Sequence, residues 1–366
     1  MASSEDNFRL NKTISNLLPE EETEEVINVT WRVAVTLRDP LVSIKEEDFQ
    51  GIKVGLVRKV SETEDELIEV AGDVDAAIIS VEPFTRKVIE NLRKCRIIAT
   101  VKTGYDNIDI EAATEQGICV STGGDYCSED VATHAMALLL ACTRKIVRLF
   151  NAAKLGHWCV SIMSSEMRQI WKPMFRLRGQ TLGIVGLGRI GQALVPKAKG
   201  FGLNVVAYDP YVSTKVAEDA GVEMVNFKHL LNDSDFVSIN AVLTDETRKM
   251  FGLNEFKEMK PSAFLINTAR GGIVDTDALC TAISEGYIAG VGLDVVDPDF
   301  KPLSPNHPLF KMDNVIVTGH SAFYSETSYP ELSHRAPQEV SRVLSREWPR
   351  FFVNPEVKEN FRRRFS

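Results

Sequence analysis

The sequence predicts an α/β protein: two doubly wound parallel-sheet domains with a cleft between them. Short apolar, β-branched runs alternate with helical patterns from Trp31 to about Val317, and such alternation makes parallel strands covered by helices. At mid-chain the run Thr181-Leu182-Gly183-Ile184-Val185 passes directly into Gly186, Gly188 and Gly191 at G-x-G-x-x-G spacing. The chain of 366 residues is long enough for two such units.

Taken in order, residues 1–28 are polar and hold the acidic run Glu20-Glu21-Glu22-Thr23-Glu24-Glu25, read as a disordered tail or a short surface helix. Strands are expected at 31–36, 51–57, 76–80, 96–100 and 117–121, with helices near 62–71 and 84–93. This first unit, 29–130, carries no glycine fingerprint. A long apolar helix, 131–147, suits a link between domains. The second unit, 131–320, alternates: strand 182–185, helix 189–200, strand 204–208, helix 214–219, strand 236–239, helix 254–259, strand 263–266, helix 275–284, then strands 289–293 and 314–317. After Ser325 a helix at about 327–345 returns to the first unit, adding 321–350 to it and leaving 351–366 as a C-terminal tail.

Composition narrows the function. With 44% hydrophobic and 25% charged residues the chain is an ordinary globular protein. A net charge of -9 and a pI near 5.4 argue against nucleic acid as a partner, while leaving room for a local basic pocket. Six scattered cysteines without a C-x-x-C pair fit a reducing compartment and give no metal-site spacing. There is no signal-peptide pattern and no apolar run of membrane-spanning length. A cytoplasmic location without membrane contact is expected.

The glycine loop has a physical reading. Gly186 permits the tight turn, Gly188 lets the backbone approach a pyrophosphate, and Gly191 lets the helix pack on its strand. Leu187, Arg189 and Ile190 complete the loop and the helix N-terminus, whose N–H groups and dipole favour phosphate. Asp209 ends the next strand, about twenty residues on. An acid there binds ribose hydroxyls and repels a 2′-phosphate, so NAD is expected and NADP disfavoured. Neighbouring Pro210 and Tyr211 add no positive charge. Three further motifs follow buried strands: Asn267-Thr268-Ala269-Arg270-Gly271-Gly272, Leu293-Asp294-Val295-Val296-Asp297-Pro298-Asp299, and Thr318-Gly319-His320-Ser321. Arginine grips a carboxylate bidentately and keeps its charge; histidine exchanges a proton near neutrality.

With the glycine loop, these motifs resemble the D-isomer-specific 2-hydroxyacid dehydrogenase family over roughly residues 30–350. The resemblance implies two Rossmann-like domains with an interdomain active-site cleft. It implies that Arg270 binds the substrate carboxylate, that His320 is the general acid/base, and that Asp299 supports the histidine, with Asp297 as a rival. Thr103, Thr268 and Ala269 would lie by the nicotinamide, with Asp294 accepting from its carboxamide. Ala241, Val242 and Thr247 would lie by the adenosine ribose. Gly104 and Tyr105 would border the substrate carboxylate. Lys102 stands where the family often has glycine, either as a solvated lysine or as a cation that selects a second anionic group. Asp299 is one methylene shorter than the family's Glu, and Gly319 replaces a proline. Trp158 and Trp171 fall in a segment, 150–178, that resembles a dimer arm, so a homodimer is expected. His134 has no partner in the sequence and is expected simply to pack near the linking helix.

The segments Gly104-Tyr105-Asp106-Asn107-Ile108-Asp109, Tyr208-Asp209-Pro210-Tyr211 and His320-Ser321-Ala322-Phe323-Tyr324-Ser325 look most like the C-terminal-binding-protein branch. Animal members of that branch are NAD(H)-sensing corepressors that bind peptides, which would place an alternative function in the nucleus. Phe323 stands where that branch has tryptophan. Retention of Arg270, Asp299 and His320 favours an enzyme that interconverts a small 2-oxo acid and a D-2-hydroxy acid.

Overall fold

The computed structural model describes residues 30–37, 42–157, 169–299, 301 and 303–366. The expected acidic tail 1–28 and Trp158 lie outside them. Twelve described strands form two wholly parallel sheets. The first contains β1 (Thr30–Val35), β2 (Lys53–Arg58), β3 (Ala76–Ile79), β4 (Ile97–Thr100) and β5 (Cys119–Ser121), in the order β2-β1-β3-β4-β5. β3 and β4 are buried along their whole length because helices cover both faces. The second contains β6 (Thr181–Val185), β7 (Asn204–Tyr208), β8 (Glu223–Met224), β9 (Phe236–Ile239), β10 (Phe264–Asn267), β11 (Gly290–Leu293) and β12 (Val315–Val317). Its order is β12-β11-β10-β9-β6-β7-β8, so the winding reverses between β6 and β9. A reversal of this kind opens a crevice at the carboxyl ends of the strands.

Three expectations need correction. The apolar helix expected at 131–147 is Ser128–Thr143, and a new helix, Ile146–Lys154, follows a break at Lys145, whose φ is 53°. The first helix packs on the helix Arg189–Gly200 and on β10 and β11, so the expected domain boundary at 131 falls inside one element. β8 and the helix Phe227–Asp233 were not anticipated; a two-residue strand leaves no readable alternation.

The third correction is the C-terminus. Residues 351–366 are docked on the first sheet and are not a tail. Buried Asn354 accepts from Val120 N at 2.8 Å and donates to Ile118 O at 3.0 Å. In the helix Lys358–Phe365, Arg364 donates to the carbonyls of Leu92 and Arg93. The helix Ser328–Leu344 brings buried Glu339 to the Ser121 hydroxyl (3.1 Å) and to the N–H of Arg350 (2.7 Å). Loop carbonyls and strand-edge amides require partners, and this segment supplies them.

Candidate active site

A cavity of about 360 Å³ opens between the carboxyl ends of the two sheets. From the first domain it is lined by Ser80 and Val81 after β3, by Val101 to Asp106 after β4, and by Tyr126 and Cys127. From the second it is lined by Gly188 to Ile190, Asn240 to Leu243, Thr268 to Arg270, Asp294 and His320. Most residues expected to carry chemistry therefore face one space. Gly186, Leu187, Gly191, Asp209, Thr247 and Asp299 do not line it. Thr247 donates to Val242 O at 2.7 Å and accepts from Thr244 N, which stiffens the loop after β9.

Arg270 follows β10 and crosses the cleft. Its Nε donates to Asp106 Oδ1 at 3.0 Å, and Nη1 donates to Ala269 O at 2.9 Å. Gly104 is packed so closely against the guanidinium that a Cβ at 104 would overlap it. Burial works against the charge on Asp106, but Arg270 and Lys102 outweigh it and hold that carboxyl below its usual range. Asp106 was quoted in the sequence pattern without a role; 164 residues separate it from Arg270, and no local signal links them. Lys102 lines the same wall. Burial lowers its pKa to about 8, with Asp106 opposing that fall and Arg270 adding to it.

His320 sits in an unusual turn. Gly319 and His320 have φ of 68° and 59°. Proline, fixed near about −65°, could not take the place of Gly319 in this conformation. The turn is gripped by Asp294, which is 1% exposed. His320 N donates to Asp294 O at 2.6 Å, Ser321 N to Oδ1 at 2.9 Å and Ala322 N to Oδ2 at 2.9 Å. Thr318 Oγ1 donates to Oδ1 at 2.6 Å and lies 2.9 Å from His134 Nε2. His134 therefore has a partner that the sequence did not reveal.

Asp299 was expected to favour the charged imidazole. Instead burial, with Arg270 adding to it, lowers the pKa of His320, against the opposing pull of Asp294. Burial also raises the pKa of Asp299. Both Asp299 oxygens accept from Gly271 N, at 3.2 and 3.0 Å, which ties the loop after β11 to the Arg270 loop.

The nucleotide cradle fits a dinucleotide. Gly186 has φ 92°, and a Cβ there would meet Ala241 N at 2.7 Å. A Cβ on Gly188 would point into open space, leaving the backbone beside it approachable. Asp209 Oδ2 accepts from Leu187 N at 2.9 Å, and Oδ1 accepts from Tyr211 N at 2.9 Å. Arg189, at the start of its helix, lies 5.3 Å over the Phe351 ring of the docked C-terminal segment. Thr268 Oγ1 and Asn240 Oδ1 are buried and have no hydrogen-bond partner among the described residues. Both residues line the cavity, so a polar ligand there would satisfy them. Asn240 was not anticipated. No group of His, Cys, Asp and Glu among the described residues could hold a metal ion, and no described helix is long and apolar enough to cross a membrane.

Fold and site define a class: a nicotinamide-dependent oxidoreductase built of two α/β domains with a cleft between them. Residues 136–322 match the family described as "D-isomer specific 2-hydroxyacid dehydrogenase, NAD binding domain", and the chain belongs to that family. It is 40% identical over 296 residues to a glyoxylate reductase of Thermococcus litoralis, covering 80% of this chain and 87% of the relative. It is 37% identical over 329 residues to a D-3-phosphoglycerate dehydrogenase of Methanocaldococcus jannaschii, covering 88% of this chain and 59% of that longer protein. A solved protein of Pyrococcus horikoshii superposes with a TM-score of 0.79 at 28% identity, over 91% of this chain and 97% of its own. These relatives support oxidoreduction between 2-oxo and 2-hydroxy acids. They lend no support to the expected C-terminal-binding-protein branch.

Proposed function

We propose that this chain is an NADH-dependent reductase of small 2-oxo acids that yields D-2-hydroxy acids and also runs in reverse. The observation that carries the reading is a single cavity lined by Arg270, by His320 and by the cradle around Gly188. Bound nicotinamide supplies the hydride. Arg270 grips the substrate carboxylate and stabilises charge growing on the carbonyl oxygen. Thr103, Gly104 and Tyr105 form the opposite wall, and Lys102 adds a second positive charge to it. Protonated His320 donates to the developing alkoxide, and Asp299 braces the Arg270 loop by accepting from Gly271 N.

On the cofactor side, Asp209 selects NAD. Glu246 adds a second negative charge nearby, since it accepts from the hydroxyl of Tyr211, two residues beyond Asp209. Asp294 retains acceptor capacity for a carboxamide beside its grip on the turn. We also propose a homodimer. In the expected arm, Phe150 and Leu155 are 60% and 79% exposed and Phe175 is 53% exposed, an apolar face of the kind that pairs with a second copy. Sedimentation at micromolar concentration tests this, and a monomer would refute it.

The test of the activity is NADH consumption with small, branched, aromatic and dianionic 2-oxo acids, beside a His320→Ala control. Turnover of at least one acid that falls about 10²–10⁴-fold in the control is expected. Tight NADH binding with no turnover across the series would overturn the reading.

A further inference from the structure

We propose that His134 is a positioning residue for His320, acting through Thr318 and Asp294 to lock the turn that carries the imidazole into the cleft. The proposal rests on the reading of His320 as the proton donor. Two successive residues, Gly319 and His320, are left-handed, and a side-chain-bearing residue persists there only when its surroundings over-determine it. Asp294 does so by accepting the N–H of three consecutive residues, 320 to 322.

A carboxylate that buried must itself be satisfied and held. Thr318 has a single hydroxyl proton. At 2.6 Å from Asp294 Oδ1 that proton belongs to the carboxylate, because two acceptors at that distance would repel. The threonine oxygen then accepts from His134 Nε2 at 2.9 Å, which fixes the tautomer with the proton on Nε2. The same nitrogen lies 3.6 Å from Asp294 Oδ1. The chain of donors runs from His134 to Thr318 to Asp294.

His134 stands on the helix Ser128–Thr143, which packs on the helix Arg189–Gly200 and on the strands leading to Arg270 and Asp294. Residues at its start, Ser128 and Val131, line the cleft. One side chain thus ties the His320 turn to the element shared by the nucleotide cradle and the substrate wall.

The test uses His134→Leu, which removes the donor, His134→Gln, which restores a donor of similar reach, Thr318→Val, and the double variant of His134→Leu with Thr318→Val. With the best 2-oxo acid, His134→Leu should lower kcat about 10–100-fold and leave KM within about threefold. His134→Gln should recover most of that loss. The double variant should be no worse than the poorer single one, because both cut the same chain.

Ring-labelled histidine NMR supplies a readout that needs no turnover. His320 is held below its ordinary pKa by burial, Arg270 and Lys102, while Asp294 and Asp106 oppose them. Loosening the turn should admit water and move its titration upward in His134→Leu and Thr318→Val. An unchanged titration in both would overturn the proposal. Equal kcat losses in His134→Leu and His134→Gln, tracking a lowered Tm, would also overturn it. A wild type that titrates as expected yet reduces no 2-oxo acid would sink the proposed function, and the titration shifts of His134→Leu and Thr318→Val would then alone decide whether His134 holds the turn.

Discussion

Replacing Asp106 asks whether Arg270 works from a fixed position. The guanidinium is held at two points, Nε on Asp106 at 3.0 Å and Nη1 on Ala269 O at 2.9 Å. The two side chains are 15% and 26% exposed, so water screens the pair only partly. A hydrogen bond to a charged group contributes about 1.5–3 kcal/mol, against about 0.5–1.5 for a neutral one. Asp106→Asn keeps an acceptor and loses the charge, about 1 kcal/mol, or about fivefold in the fraction of correctly aimed guanidinium. Asp106→Ala loses the anchor, about 1.5–3 kcal/mol, or about 10–150-fold. Binding should respond differently, because removing a negative charge beside Arg270 and Lys102 strengthens their pull on an anionic substrate. The expected result is kcat falling from wild type to Asn to Ala, with KM steady or lower. The assay is steady-state NADH consumption with melting curves as a control. A kcat within twofold of wild type for Asp106→Ala refutes the reasoning, as does a tenfold rise in KM at constant kcat.

Gly104→Ala attacks the same guanidinium sterically. A Cβ there overlaps it, and a displacement near 1 Å costs about 100-fold in kcat/KM while melting curves change little. Asp209→Ala removes the acceptor for Leu187 N and the charge proposed to meet the ribose, so the ratio of kcat/KM for NADH over NADPH should drop by at least about tenfold, read from parallel titrations with both cofactors. Lys102 carries its charge below about pH 8 and loses it above. KM for dianionic 2-oxo acids should therefore climb above that pH, and Lys102→Met should show the high KM throughout and no climb.

Most of the fold was legible because parallel strands buried on both faces are written as continuous apolar runs. β9 and the helix Arg189–Gly200 fall where the pattern placed them. The C-terminal helix was misread for a physical reason: Arg362, Arg363 and Arg364 look like a solvated tail, yet Arg364 pairs with backbone carbonyls that no sequence pattern marks. The site divides the same way. Arg270 and His320 announce themselves through glycine-flanked positions at strand ends. Their supports, Asp106 and His134, lie 164 and 186 positions away, on elements whose juxtaposition is set by the packing of two sheets. Asn240 sits at a strand end in the sequence, but only its buried oxygen, without a partner among the described residues, marks it as a candidate ligand contact.

With Arg270 and His320 in their proposed roles, the electrostatics of the cleft imply that substrate arms the acid that will protonate it. In the free protein burial pushes the His320 pKa below its ordinary 6.5, and Arg270 and Lys102 push it further. A carboxylate bound at Arg270 adds a full negative charge. At about 5 Å and an effective dielectric near 20 that charge is worth about 3 kcal/mol, enough to change the protonated fraction roughly 100-fold. Closer packing of the substrate removes some remaining water and opposes this. His320 is already largely buried in the free protein, however, so the new charge wins. Binding of an unreactive 2-oxo acid analogue to the protein–NADH complex should therefore take up a proton at and just below neutral pH. Calorimetry in buffers of different ionisation enthalpy measures the uptake, and His320→Ala should abolish it. Proton release, or an uptake that survives in His320→Ala, would show that the charge of Arg270 does not control the histidine.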